Sequence, residues 1–214
     1  MSDMNIRPAS RSGARYWLIG LYSAFLLSCF PAFAEIANSA HDFSEATWSG
    51  NEICVICHAP HNADTVVFNA PLWNHEVTSA TFDVYNSSSL DATIGQPDGL
   101  SKLCLGCHDG TVALDSFGGM TGSTIIDDPL GTDLSNDHPI SFIYDDALAS
   151  TDGSLFNPTS TTTVLGGTIQ TDLLSNGDKV ECSACHDVHN ADGLVHLLRI
   201  DNEGSALCLT CHDK

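Results

Sequence analysis

A five-residue pattern, Cys-x-x-Cys-His, occurs four times in this chain and limits what the chain can fold into. The four occurrences use eight of the nine cysteines, and a histidine follows the second cysteine every time. They span Cys54–His58, Cys104–His108, Cys182–His186 and Cys208–His212. Such close pairs occur in structural zinc sites, in iron–sulfur clusters and in covalent haem attachment. Only the third chemistry also needs the histidine, so the fifth position favours it over the other two.

Covalent haem explains each residue of the pattern. Each cysteine thiol adds across one haem vinyl group, and the following histidine becomes the proximal axial ligand of the iron. The sequence therefore predicts four covalently bound haem c groups. The predicted attachment residues are Cys54, Cys57, Cys104, Cys107, Cys182, Cys185, Cys208 and Cys211. The predicted proximal ligands are His58, His108, His186 and His212.

The first 34 residues are typical of a cleaved secretory signal. Three arginines precede a short apolar stretch, and Ala32-Phe33-Ala34 forms a small-x-small cleavage site. The apolar stretch is shorter than the roughly 20 residues of a membrane span, so we expect no transmembrane segment in the mature chain. Ser28-Cys29 weakly resembles a lipoprotein processing site, an alternative that the sequence leaves open. Because bacterial haem attachment follows export, we expect a protein of the periplasm, cell surface or exterior of a Gram-negative bacterium.

The charge of the chain is strongly acidic and excludes two classes of partner. The formal net charge is −20, and loss of residues 1–34, which hold three Arg and one Asp, would leave −22. Nucleic-acid binding requires a basic surface, and anionic lipid attracts basic segments. We therefore predict neither partner. The acidic charge is typical of a soluble exported protein, although it would also attract cationic partners.

An internal duplication organises the mature chain. The sequence CHAPHNAD from Cys57 matches CHDVHNAD from Cys185, and SKLCLGCHD from Ser101 matches SALCLTCHD from Ser205. The repeated unit is thus a pair of haem motifs. The predicted segments are a signal peptide (1–34), an N-terminal arm (35–53), a first di-haem module (54–112), a Gly/Thr/Asp-rich linker (113–181) and a second di-haem module (182–214).

The number of haems bounds the fold. Cleavage at residue 34 would leave 180 residues, or one haem for every 45. Because haem is large, rigid and apolar, we expect four stacked haems to replace much of the protein core. The rest is predicted to be mostly irregular, with short helices at the haem motifs and few short strands. A weak apolar alternation at residues 140–144 predicts one such strand.

The second axial position of each iron separates an electron carrier from an enzyme. Methionine ligation raises the reduction potential, but Met120 is the only methionine after residue 34. Six further histidines are available as distal ligands: His41, His61, His75, His138, His189 and His196. Since six candidates exceed four positions, we expect four low-spin, low-potential haems, each with two histidine ligands.

Spacing ranks these candidates in part. His61 and His189 each follow a proximal histidine by three residues, too close to reach over their own haem. We expect them to ligate the neighbouring haem of the pair. His75 follows a tryptophan that would flank a porphyrin, and His138 precedes a proline. His196 lies among leucine and valine residues and is the weakest candidate.

Seven segments of the chain together resemble a known family. They read AHDFS, CVICHAPHNA, PLWNH, GQPDGLSKLCLGCHDGTVA, LGTDLSNDHPISF, VECSACHDVHNA and GSALCLTCHDK. In these segments the chain resembles the small tetrahaem c-type cytochromes with paired motifs of metal-reducing, Geobacter-like bacteria. The OmcE-like proteins, which polymerise into extracellular nanowires, are among them.

The resemblance implies a multihaem cytochrome c fold with a chain of stacked, bis-histidine haems. In the filament-forming members a histidine of one subunit ligates a haem of the next. Here His41 is our candidate donor, because it lies on the N-terminal arm. The family pattern has counterparts for five distal candidates but none for His196; the five are His41, His61, His75, His138 and His189. The implied partners are further copies of the chain, other multihaem cytochromes and extracellular metal oxides.

We therefore expect an electron carrier without catalytic residues, polymerised into an extracellular filament. A soluble periplasmic shuttle is the alternative of the same class. A multihaem reductase would need one open iron beside a basic pocket, and few fixed positive charges follow residue 34: Lys102, Lys179, Arg199 and Lys214. A zinc-stapled structural protein would leave the four histidines of the motifs unexplained.

Overall fold

The computed structural model describes residues 36–189 and 193–214. The predicted signal peptide, its cleavage site and Cys29 lie outside the described residues. Within those two ranges, no helix has the length and apolar character that a membrane crossing requires.

Regular secondary structure in the described residues is short and sparse. The helices are α1 (Gly99–His108), α2 (Asp146–Asp152), α3 (Ile169–Asp172) and α4 (Ala206–Cys211). Single 3₁₀ turns cover Cys182–Ala184, Val195–Leu197 and Glu203–Ser205. The strands are β1 (Asp83–Val84), β2 (Asp133–Leu134), β3 (Phe142–Ile143) and β4 (Lys179–Val180). The expectation of a mostly irregular chain with short helices and few strands is confirmed.

Two strand pairs join distant parts of the described chain. β1 pairs with β2 in parallel, with Asp83 opposite Asp133. β3 pairs with β4 antiparallel, with Phe142 opposite Val180, so the strand predicted at residues 140–144 forms over two residues. β4 leads directly into the third haem motif. The β3–β4 pair therefore holds this motif beside residues 142 and 143, far earlier in the sequence.

The larger apolar cluster lies against the last haem motif. Its buried members are Tyr144, Ala149, Ile169, Leu173, Val180, Ala184 and Ile200, and Cys211 packs against it. Most of these residues come from segment 113–181, which composition had suggested was a linker. A smaller cluster joins Phe82 and Leu134 to Leu105 of α1 and holds the β1–β2 pair against that helix.

Local capping explains where α2 begins and ends. The side chain of Asp145 accepts a hydrogen bond from the backbone N–H of Leu148 at 2.8 Å. Such an N-cap satisfies one of the unpaired donors of the first turn. The helix ends at Gly153, whose φ of 70° suits a residue without a Cβ. α2 thereby presents Ala149 to the larger cluster.

Candidate haem-binding site

The first motif of each duplicated unit forms a single helical turn. The His58 N–H donates to the Cys54 carbonyl at 2.9 Å, and the His186 N–H donates to the Cys182 carbonyl at 3.0 Å. The turn brings the first cysteine and the histidine, four residues apart, to one side. We expected a short helix at each motif, but residues 54–58 form only this turn.

A strap of four residues crosses each of these turns. We define the straps as residues 71–74 in the first unit and 196–199 in the second. Isolated β-bridges join His58 to Trp73 and His186 to Leu198. The central strap residues Leu72 and Leu197 are both left-handed, with φ values of 53° and 56°. The structural duplication therefore extends into segments whose sequences match only at this leucine.

The straps orient the proximal imidazoles through backbone carbonyls. The Nδ1 atom of His58 lies 2.6 Å from the Pro71 carbonyl oxygen, and that of His186 lies 3.0 Å from the His196 carbonyl oxygen. A proton held on Nδ1 leaves Nε2 as the metal-binding atom. Sequence reasoning missed Pro71 and missed this role of His196, because a carbonyl contact leaves no signature in residue type.

The second motif of each unit lies on an α-helix. Cys104, Cys107 and His108 occupy one face of the last turns of α1, because residues three and four apart are neighbours on a helix. Leu105, one position away, is buried on another face. In the second unit Cys208 and Cys211 lie on α4, and His212 follows directly. The helices predicted at these two motifs are present.

Three proximal histidines face a second imidazole at similar distances. The ring centroids are 5.9 Å apart for His41 and His108, 6.2 Å for His58 and His189, and 6.3 Å for His138 and His212. Two imidazoles on opposite sides of one metal, each with a metal–nitrogen distance of about 2 Å, have centroids about 6 Å apart. The side chains present therefore fit bis-histidine haem iron at three sites.

In two of these pairs the surroundings lower the pKa of three histidines, which favours the neutral imidazole, the form that ligates a metal. Burial lowers the pKa of His41, and the neighbouring His108 and His186 lower it further. Burial likewise lowers the pKa of His108, with a contribution from His186. Burial also lowers the pKa of His212, and the neighbouring His138 lowers it further.

Two distal candidates have partners different from those we expected. His189 stacks on His58 of the other unit rather than facing the second haem of its own pair. His41 lies against His108 of its own chain, where we expected a donor to another subunit. The N-terminal arm is long enough to fold back onto α1, and the Phe43 and Trp48 rings pack beside it, tilted by 42° to each other.

The remaining three distal candidates do not face a motif histidine: one is buried in packing and two are exposed. His75 is 2% exposed, and its Nδ1 and Nε2 lie 2.9 and 3.0 Å from the carbonyl oxygens of Glu76 and Ala113. Its position corresponds to the buried Ile200 in the second unit, so it contributes to packing beside Cys107. His61 and His196 are exposed, and His196 contributes its carbonyl oxygen rather than its ring.

Six of the eight motif cysteines are partly buried, whereas Cys54 and Cys208 are exposed. Burial raises the pKa of Cys57 to about 11 and that of Cys107 to about 12. Cys104 and Cys182 are within hydrogen-bonding reach of each other, and the Cys104 thiol lowers the pKa of Cys182 by donating to it. Attachment points from the two units therefore meet at one place.

One comparison with known proteins concerns the Cys-x-x-Cys-His motifs. The family described as the doubled CXXCH motif matches residues 175–214, which include the second di-haem module. The match supports a multihaem c-type cytochrome. The motifs indicate covalently bound haem c and suggest electron transfer. No curated protein matches the chain.

Proposed function

We propose that this cytochrome carries four haems and transfers electrons along them, each iron being held between two histidines. The supporting observation is the set of three imidazole pairs with centroids 5.9 to 6.3 Å apart, each containing one motif histidine. Haem iron, when bound, supplies the one-electron redox change. The polypeptide fixes the spacing, orientation and potential of the haems.

Backbone carbonyls beside two of the proximal histidines adjust their donor strength. The carbonyls of Pro71 and His196 accept the Nδ1 proton of His58 and His186, which increases the basicity of Nε2. A second imidazole leaves no coordination position for substrate and favours a low potential. These features support a carrier over a reductase.

The fourth distal ligand is His61. His189 faces His58, and the duplication makes His61 the counterpart of His189 and His186 the counterpart of His58. By this correspondence His61 serves the haem of His186. No ring contact joins His186 to a second imidazole in the described ranges, and His61 is exposed, so a second copy of the chain supplies it.

The loop that follows His61 supports an interface with another copy. Val66, Phe68 and Leu72 are 87%, 73% and 59% exposed. Large apolar side chains grouped on a surface mark contact sites. A contact between His61 of one copy and the His186 haem of the next is heterologous, so it propagates into a filament. Such a filament, exported to the cell surface or beyond, would pass electrons to other multihaem cytochromes or to metal oxides.

Two measurements test the carrier. The mass of the exported protein should exceed that of the processed polypeptide by four haem groups. Reduced protein in its polymerised form should keep a low-spin spectrum under carbon monoxide. A bare polypeptide mass would overturn the proposal, and strong carbon monoxide binding by wild-type filaments would favour the multihaem reductase.

Polymerisation is tested separately with His61→Ala. Negative-stain microscopy should show filaments for the wild type and none for the variant, which should keep four haems. His196→Ala is the matched control, because it removes another exposed imidazole while keeping the carbonyl. Filaments that persist in His61→Ala would overturn the donor assignment, and wild-type protein that stays monomeric at high concentration would favour the soluble shuttle.

A further inference from the structure

Glu181 is a buried carboxylate at the start of the third haem motif. It is 1% exposed, and its Oε2 accepts hydrogen bonds from the Ser101 N–H at 3.1 Å and the Ser141 hydroxyl at 2.9 Å. Its Oε1 is also buried and has no hydrogen-bond partner among the described residues. An ionised carboxylate in this setting would destabilise the folded protein, because burying an unpaired charge costs free energy.

The surroundings of Glu181 favour its protonated form. Burial raises its pKa; the hydrogen bonds from Ser101 and Ser141 oppose the rise, and Asp98 adds to it. Asp98 is itself paired with Lys179. The other ionisable groups that interact with it are the Cys104 and Cys182 thiols, which become uncharged thioethers once haem is attached. Among the residues that the structure describes, no cation pairs with Glu181.

Glu181 lies between haem attachment points of the two units. Cys182 is the next residue, and its N–H donates to the Ser101 hydroxyl at 2.9 Å. Ser101 lies one turn before Cys104 on α1, and the Cys104 and Cys182 sulfur atoms are within hydrogen-bonding reach of each other. Neither cysteine ligates iron. The two haems attached here would therefore both lie close to this carboxylate.

Gly99 lies directly against the unpartnered oxygen of Glu181. A Cβ added to Gly99 would lie 2.7 Å from Glu181 Oε1, so only glycine leaves this space open. Gly99 also lines a surface pocket of about 440 Å³, together with Asp98, Lys102 and Lys179. The backbone at Gly99 thus separates the buried oxygen from groups that exchange protons with water.

From this geometry we infer that Glu181 takes up one proton from solvent when a haem attached at Cys104 or Cys182 gains an electron. The proton is released when that haem is oxidised again. The electron comes from the donor upstream in the chain of haems, Fe³⁺ becomes Fe²⁺, and the added proton balances the added negative charge. The inference rests on the proposed electron-carrier function and adds proton coupling to it.

The test compares wild-type protein with Glu181→Gln, which keeps the shape and an acceptor oxygen for Ser101 and Ser141. Proton uptake on full reduction is followed with a pH indicator in weakly buffered solution. The variant should take up less, by up to about one proton per molecule. Haem propionates contribute equally to both proteins and cancel in the comparison. Glu52→Gln is the control, because it removes an exposed glutamate two residues before Cys54; its uptake should equal that of the wild type.

A second readout does not depend on a well-folded variant. Infrared difference spectra of wild-type protein, reduced minus oxidised, should show the carbonyl stretch of a newly protonated carboxylic acid. Absence of that band in the wild type, or equal proton uptake by wild type and Glu181→Gln, would overturn the inference. Both results leave the carrier standing, whereas a failure of the carrier would appear as missing haem mass.

Discussion

His58 and His189 stack with ring centroids 6.2 Å apart and an angle of 12° between their planes, although they belong to different copies of the duplicated unit. His58 is the histidine of the first motif, and His189 lies three residues after His186, the histidine of the third motif. The link between the two units at this point is therefore a contact between two imidazoles rather than apolar packing. If both rings ligate one iron, as we propose, loss of either ring affects that haem and the contact between the two units together.

Replacing His189 by alanine should open the haem attached at Cys54 and Cys57. That haem should become high-spin and bind carbon monoxide in the reduced state, while the other three keep their spectra. Its potential should rise, because the imidazole donor is lost. Optical titration with carbon monoxide measures this. His196→Ala is the control and should bind no carbon monoxide. If the spectrum of His189→Ala does not change with carbon monoxide, another group ligates this iron.

Gly106 occupies a position in the second motif where the fourth motif has a larger residue. An added Cβ there would lie 3.0 Å from the Glu76 carbonyl oxygen and 3.9 Å from His75 Nδ1. The counterpart in α4 is Thr210, whose hydroxyl donates to the Ala206 carbonyl at 2.9 Å. At Gly106, α1 therefore lies so close to the backbone of Glu76 that a larger residue would be crowded there.

We expect Gly106→Ala to destabilise the protein by about 1–3 kcal/mol through overpacking, although alanine is the better helix former. Thermal unfolding followed by circular dichroism should show a lower midpoint. Thr210→Ala is the matched control on the equivalent helix and should change the midpoint little. An unchanged or higher midpoint for Gly106→Ala would mean that the contact with Glu76 relaxes at little cost.

Ile169 tests whether segment 113–181 belongs to the core. It is fully buried in the cluster against which Cys211 packs. Ile169→Ala should lower the free energy of unfolding by about 2–5 kcal/mol, through lost burial and the cavity left behind. Denaturant unfolding of the haem-loaded protein measures this. Val164→Ala, at an 82% exposed site in the same segment, should have an effect close to zero.

The sequence predicted the positions of the motifs better than their partners. Fixed local spacing identifies Cys104, Cys107 and His108, since a helix turn brings them together wherever it lies. Which distal histidine faces which motif depends on the path of the chain between them, and His189 and His41 both faced unexpected partners. The core role of segment 113–181 was missed because its apolar residues, such as Ile169, are scattered among Gly, Ser, Thr and Asp.

The stability of the protein should depend on pH through Glu181. Its pKa is raised in the folded protein, chiefly by burial, whereas in the unfolded chain it has the ordinary value of about 4.3. The folded state therefore binds more protons in the interval above that value, and stability falls as the pH rises through it. At lower pH both states are protonated and the effect is absent.

Glu181→Gln should abolish this part of the pH dependence. Denaturant unfolding of both haem-loaded proteins, repeated from acidic to neutral pH, gives the difference in free energy between them. That difference should shift in favour of the glutamine variant as the pH rises, because glutamine carries no charge to bury. A difference that is constant with pH would show that Glu181 ionises at the same pH in the folded and unfolded chains. Glu52→Gln, at an exposed position, should leave the profile of the wild type unchanged.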